Sequence, residues 1–485
     1  MTPSHMIALV LIPPLVLASA AAAIWSRLVR DVFFFAMVSL AVLVERLDVN
    51  FLSDAWYRGT TRGIQVSLIE ILAFGLLLGC VLGPRPSGRK LFWPGSLGFM
   101  LLYFAYAGVS VIVSEPKMFG VFELSKIVAS TLVFLSAAFY VRSRREWSLL
   151  VIALGCAVGF EGLWAARQHF VMGLDRSAGT LDHANSLSMY FCTTVPLLAA
   201  VAASDWSRGL KWFCGLCSAL GAIGLLLTYS RAGVPVFALC VVGAAAACAS
   251  WRPSPGRIAV RSVIFLAAVA MVVAGWGEME RRYTATSLEQ EYFDTTVDGR
   301  GVYIRLSEAI AKEHFFGVGL NNWSYRVSRT YGPRLGYRFD DYDNLISVYG
   351  TRNDKAFANS YLAAPAHSLA ALTLGELGVP GLAIFALLWL RWLSMGVPFL
   401  IMPKADPMRV MGVGILFSIC GIFGQSLTEW VYRQTPIIFT FYILLGALAS
   451  LAHGRYEARI SSHPTGVVPG EAETASVKRL VSEVG

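Results

Sequence analysis

Charge is scarce in this sequence: Asp, Glu, Lys and Arg make up 15% of its 485 residues. A water-facing surface is a quarter or more charged, so water cannot be the main solvent of this chain. The alternation of a membrane β-barrel, in stretches of ~10 residues, is missing too, which excludes a closed barrel. No basic leader or small-residue cleavage site accompanies the first apolar run, and that run reads as a retained span. No internal repeat is visible, which weakens a carrier built from two related halves. The eight cysteines all lie within or beside apolar segments and read as free buried thiols. Cys214 and Cys217 have CxxC spacing but no second ligand pair, as a zinc site would require.

What the sequence does have is apolar runs. Hydrophobic residues reach 56% and mean hydropathy is +0.59. Several runs, such as Met6–Ile24, Ser96–Val113 and Met408–Leu427, approach the ~20 residues that cross a ~30 Å hydrocarbon core. Read in order, spans fall near 6–24, 32–46, 65–83, 96–113, 121–141, 147–168, 186–204, 211–229, 232–249, 262–276, 366–391, 408–427 and 435–453. The fold class is thus all-α, a polytopic transmembrane bundle of 12 or 13 spans, because Val32–Val44 is short for a crossing. The net charge of +9 comes from clusters between spans, at Trp25–Asp31, Arg85–Lys90, Arg142–Glu146, Asp205–Lys211 and Trp251–Arg261. Such clusters orient spans with the basic loops inside, and no nucleic-acid partner is expected.

This reading divides the chain into an N-terminal bundle (1–276), a large outside loop (277–365), C-terminal helices (366–453) and a polar inside tail (454–485) expected to be disordered. The loop exceeds an ordinary connection and reads as functional. Within it, Gly301–His314 places Val302, Leu306, Ala309 and Ile310 on one helical face and charges on the other. That helix is expected to lie on the membrane surface or across the mouth of the bundle.

Several residues could carry chemistry. Tyr229-Ser230-Arg231-Ala232-Gly233 forms a minimal outside turn in which Ser230 can cap the next helix. Arg231 then stands at a helix N-terminus, where it can grip a phosphate or anchor the helix by snorkelling. Pro365-Ala366-His367-Ser368 opens the next span, with Pro365 suited to a first turn. His367, near a positive helix end, is placed either to accept a proton or to serve structure. Arg300 and Arg305 flank the start of the loop helix, and either could equally be a solvated charge. The glycines of Phe316-Gly317-Val318-Gly319 read as a turn. Inside spans, Glu123 and Lys126 are one turn apart and can pair, Glu161 and Arg167 face different neighbours, and Glu376 reads as a packing or helix-contact residue.

Taken in order, four motifs resemble the O-antigen ligase and polymerase family of bacterial envelope glycosyltransferases. They are Gly179-Thr180-Leu181-Asp182-His183-Ala184-Asn185; Tyr229-Ser230-Arg231-Ala232-Gly233; Gly299-Arg300 leading to Phe316-Gly317-Val318-Gly319; and Ala366-His367-Ser368 followed by Gly375-Glu376-Leu377-Gly378. The resemblance implies a multi-pass protein of the bacterial inner membrane with its active site facing the periplasm. It implies transfer of a glycan from undecaprenyl pyrophosphate to the hydroxyl of a glycan or lipid-core acceptor. In that scheme Arg231, Arg300 and Arg305 hold the pyrophosphate and His367 activates the acceptor, with no metal or other cofactor. Two departures stand out: Ser368 replaces the asparagine of many relatives, and the proline common before the glycine pair is absent near Phe315. The alternatives are a flippase of lipid-linked anionic sugar and an inactive scaffold with the same fold.

Overall fold

Apolar segments in lipid must satisfy their backbone N–H and C=O groups internally, which makes helices the answer for a chain without barrel patterning. The computed structural model describes residues 3–54, 56–84, 90–249, 300–340 and 362–462, with Gly277, Glu280 and Ser347. The expected span at 262–276, the basic loops at 85–89 and 251–261, most of the large loop and the tail beyond 462 lie outside the described residues.

The order of elements is α1 (Pro3–Trp25), α2 (Arg27–Leu40) continued by a 3-10 helix (Ala41–Arg46), strands β1 (Asp48–Ser53) and β2 (Gly63–Ser67), then α3 (Leu68–Leu82), α4 (Leu97–Val113) and α5 (Lys117–Tyr140). There follow α6 (Arg144–Phe170), α7 (Ala184–Ala203), α8 (Arg208–Leu226), α9 (Gly233–Cys248), α10 (Gly301–Glu313), α11 (Leu369–Gly396), α12 (Pro407–Ser426) and α13 (Thr435–Ser462). The protein is an all-α polytopic membrane protein. Among the described residues, seven helices are long and apolar enough to cross a membrane, namely α5 to α8 and α11 to α13, and α1, α3, α4 and α9 supply shorter apolar helices.

Two local features depart from the sequence reading. The stretch that looked too short at Val32–Val44 gains length upstream, where Ser26 caps α2 at Val29 N (3.4 Å). With its 3-10 extension it rises ~33 Å, about the thickness of a hydrocarbon core. The other is the β1–β2 hairpin, antiparallel with Asp48 opposite Ser67 and an irregularity between Asn50 and Leu52. It displaces the start of the third span from 65 to Leu68, where Ser67 and Glu70 close a capping box.

α7 is buried almost all round, packed on α8, α9 and α12, while α13 packs on α5. Basic loops gather at one end of the bundle: Arg30 donates to Gly79 O (2.7 Å), Arg142 to Lys90 O (2.6 Å) and Arg145 pairs with Asp31 (2.5 Å). At the other end lie the hairpin, the 171–183 connection, the 227–232 turn, α10 and the 427–434 connection. α10 buries Val302, Leu306 and Ile310 against α11, leaving Arg305 and Glu308 exposed, as the amphipathic pattern anticipated.

The glycine motifs meet each other. α11 is interrupted at Gly378 (φ 67°), and segment 315–319 inserts there: Val318 N donates to Gly375 O (3.0 Å), Gly319 N to Glu376 O (2.8 Å) and Val379 N to Phe315 O (3.0 Å). A Cβ on Gly317 would lie 2.3 Å from Glu376 O, and one on Gly378 2.0 Å from Phe315 O, so only glycine permits the approach.

Beneath this junction sits a buried network of four charges. Glu123 pairs with Lys126 (2.9 Å) and with Arg433 (3.0 Å), and Arg433 also pairs with Glu376 (2.6 Å). Lys126 donates to Arg433 O (2.6 Å), and the Thr60 and Thr61 hydroxyls donate to Glu123. Two carboxylates thus face two cations, and Glu376, read from sequence as a packing residue, is an ion-pair partner. Arg433→Met would remove the ion-pair partner of Glu376 and leave Glu123 with Lys126 alone in a low-dielectric interior. It is expected to cost about 3–5 kcal/mol, read as a lower melting temperature of the purified protein in detergent; an unchanged melting temperature would refute the role given to this network.

Candidate functional site

The outer ends of α7, α10, α11 and α12 converge on one carboxylate, Glu429, which is 2% exposed. Its Oε2 accepts from His367 Nδ1 (3.0 Å), and its Oε1 takes an Arg300 N–H (2.9 Å) and Asn185 Nδ2 (2.6 Å). Arg300 also donates to Thr428 O (2.8 Å), so it grips the connection at two successive residues. Burial by itself would raise the Glu429 carboxyl, but the hydrogen bond from His367 and the charges of His367, Arg300 and His183 outweigh it and hold the carboxyl below its ordinary range.

Each contributor is positioned by local chemistry. Ser368 caps α11, its hydroxyl accepting from Ala371 N (3.4 Å). The helix therefore starts at Leu369, and Pro365 is not in its first turn as the sequence reading had it. His367 stands just before the cap, its ring 5.1 Å from that of Tyr303 on α10. Serine and asparagine both serve as N-caps, which accounts for the tolerance of Ser368 at this position. Nδ1 is engaged by Glu429, which fixes the orientation of the ring and leaves Nε2 on its other side.

The 179–185 motif is fixed from below. Gly179 adopts φ 67°, with Thr180 N donating to Glu161 (2.9 Å) and Gln168 Nε2 to Gly179 O (2.8 Å). His183 caps α7, its Nδ1 accepting from Asn185 N (3.1 Å). Burial, followed by the charge of Arg176, lowers its pKa and favours the neutral ring, against the pull of Glu429. Arg176 links this motif to the next: it donates to Asn185 Oδ1 (2.8 Å) and to Thr228 O (2.9 Å). In the turn beyond Thr228, Tyr229 has φ 47° and Ser230 Oγ accepts from Gly233 N (3.3 Å), but the residue at the N-cap of α9 is Ala232, not Ser230 as the sequence reading had it, and no side chain caps the helix there. Arg231 is half-buried in that turn.

The structure thus joins His367 and Arg300 through Glu429. It connects the Arg231 turn to them by way of Arg176 and Asn185, and it leaves Arg305 exposed on the outer face of α10, outside this cluster. Sequence reading missed Glu429 and Arg176, and it quoted His183 and Asn185 without giving them a role. The available signal was an acid two residues after the apolar run 408–427, directly before Trp430 and four residues before Arg433.

A bundle of membrane-spanning helices that collects two histidines and at least two arginines around a buried carboxylate, at the end opposite the basic loops, defines a multi-pass membrane protein with a preorganised charged cluster. The family model described as O-antigen ligase matches residues 216–386, about a third of the chain, and that segment is similar to the O-antigen ligase family. No curated protein matches the chain. The matched segment contains Arg231, Arg300, Arg305 and His367, whereas Asn185 and Glu429 lie on either side of it.

Since the Glu429 carboxyl is held low, its contribution to stability is present above the unfolded-state value and is lost as pH falls through the folded-state value. The stability gap between wild type and Glu429→Gln should be constant near neutral pH and should close as pH drops below about 4.5. Thermal unfolding across that range checks this, and a gap that persists into acid would contradict it.

Proposed function

We propose that the protein is a membrane glycosyltransferase that moves a glycan from a polyprenyl pyrophosphate to an acceptor sugar hydroxyl on the side opposite the basic loops, the periplasmic side. The observation that carries this reading is the Glu429 bridge between His367 Nδ1 and Arg300, which orients Nε2 as a proton acceptor beside a fixed positive charge. The family match supports the ligase or polymerase class.

In this mechanism the acceptor hydroxyl gives its proton to His367 Nε2 as its oxygen bonds to the anomeric carbon. The bond from that carbon to the pyrophosphate oxygen breaks, and the lipid pyrophosphate leaves with the electron pair. Direct displacement inverts the anomeric centre. Negative charge grows on the leaving group during the step, so Arg300 and Arg231 stabilise the transition state more than the bound donor. Glu429 stabilises the imidazolium that forms and holds the ring in one tautomer. Arg305, exposed on α10, is a peripheral contact for the same phosphates in this scheme.

His367→Ala should reduce transfer by about 10²–10⁴-fold, measured as glycosidic product from lipid-linked donor and acceptor in proteoliposomes. Arg231→Ala should weaken binding of the donor while leaving the fold intact. Normal product from His367→Ala would overturn the base assignment. Movement of lipid-linked sugar across the bilayer without product would identify a flippase instead.

A further inference from the structure

The end of the bundle away from His367 carries a second feature. α2, α3, α5 and α6 leave a cavity of about 210 Å³ there, lined by the cations Arg27, Arg30, Lys90 and Arg142 and one carboxylate, Glu146. From Glu123 to Phe139, which also lines it, α5 rises ~24 Å, so this cavity is distinct from the outer site. The acids nearby are already engaged. Glu146 accepts from the backbone N–H groups of Arg142 (2.8 Å) and Ser143 (2.7 Å) and pairs at longer range with Arg27 (3.7 Å), one of the four lining cations. Asp31 accepts from the Tyr140 hydroxyl and pairs with Arg145 (2.5 Å). The cavity therefore keeps an excess of positive charge.

Orientation of the spans accounts for basic residues at this end but not for their arrangement around a cavity. At ~30 Å³ per water the volume equals about seven waters, too much for a lone ion and enough for a phosphodiester with part of its glycerol. The walls are amphipathic: Leu91, Phe139 and Cys80 complete them. Leu28, Leu82 and Trp93, large apolar side chains close in sequence to the lining, are exposed on the surface of the bundle. A soluble anion has no use for such surroundings, whereas a lipid does.

We propose that this cavity binds the head group of an anionic phospholipid, with Arg27, Arg30, Lys90 and Arg142 around its phosphate and the acyl chains against Leu28, Leu82 and Trp93. The full-length protein in neutral detergent is titrated with phosphatidylglycerol or with phosphatidylcholine of the same chains, and the melting temperature is followed. Phosphatidylglycerol should stabilise at concentrations at least tenfold lower, and sodium phosphate at the same concentrations should have no effect.

Arg27 and Lys90 are both exposed and can be changed with little cost to packing. The double change Arg27→Gln and Lys90→Gln should raise the half-maximal phosphatidylglycerol concentration by on the order of tenfold, whereas Arg27→Lys with Lys90→Arg should restore the wild-type response. Equal responses of the wild type to the two lipids overturn the proposal, as does an undiminished response in the double Gln variant. Stabilisation by inorganic phosphate equal to that by lipid would reassign the cavity to soluble anions. Should the Gln variant fail to fold, the wild-type lipid comparison still decides.

Discussion

A guanidinium buried away from water needs acceptors that offset its desolvation, and Arg433 lies between two carboxylates, Glu123 of α5 and Glu376 of α11. The consequence reaches the outer site through a short piece of chain. Glu429 and Arg433 belong to the same connection between α12 and α13, so fixing Arg433 inside the bundle fixes the backbone that presents Glu429 above it. Glu429 in turn holds His367 and Arg300, which come from opposite ends of the large loop. The inner network and the outer bridge are therefore two levels of one structure: desolvated charges anchor the scaffold, and a partly exposed histidine is aimed by it.

The α-helical class, and among the described residues the order of apolar helices and the gathering of basic residues at one end, were legible in the sequence, because each follows from local runs of apolar residues and the charges between them. The amphipathic helix 301–313 was legible for the same reason, as was the Glu123–Lys126 pair, whose members lie one helical turn apart. What could not be read was anything that depends on distant segments meeting. Glu429 follows a span and resembles an ordinary interfacial acid until α7, α10 and α11 are packed around it. Glu376 resembles a helix-contact residue until the 431–433 turn brings Arg433 against it. The β1–β2 hairpin escaped notice because its strands are short and lie between two strong apolar signals.

The family match and the geometry divide the site in an informative way. Residues 216–386 carry the histidine and the three arginines singled out from sequence. The groups that orient them come from outside: Glu429 from the following connection, and Asn185 with Arg176 from the 171–185 region. The glycine motifs within the match have a clear physical task, since segment 315–319 and the break at Gly378 hydrogen-bond to one another and tolerate no Cβ. They build the floor on which α10 and the start of α11 rest.

The position of Arg433 after both of its partners in the chain also constrains how the protein is made. Synthesis delivers Glu123 and Glu376 to the membrane before the guanidinium that neutralises them exists, and N-terminal segments settle first. Lys126 can serve Glu123 from the beginning, being on the same helix. Glu376, whose ion-pair partner is Arg433, must wait for the α12–α13 hairpin to arrive. Arrival of the connection that carries Arg433 thus completes this ion pair, and a chain truncated before Arg433 would leave α11 with an acid it cannot bury.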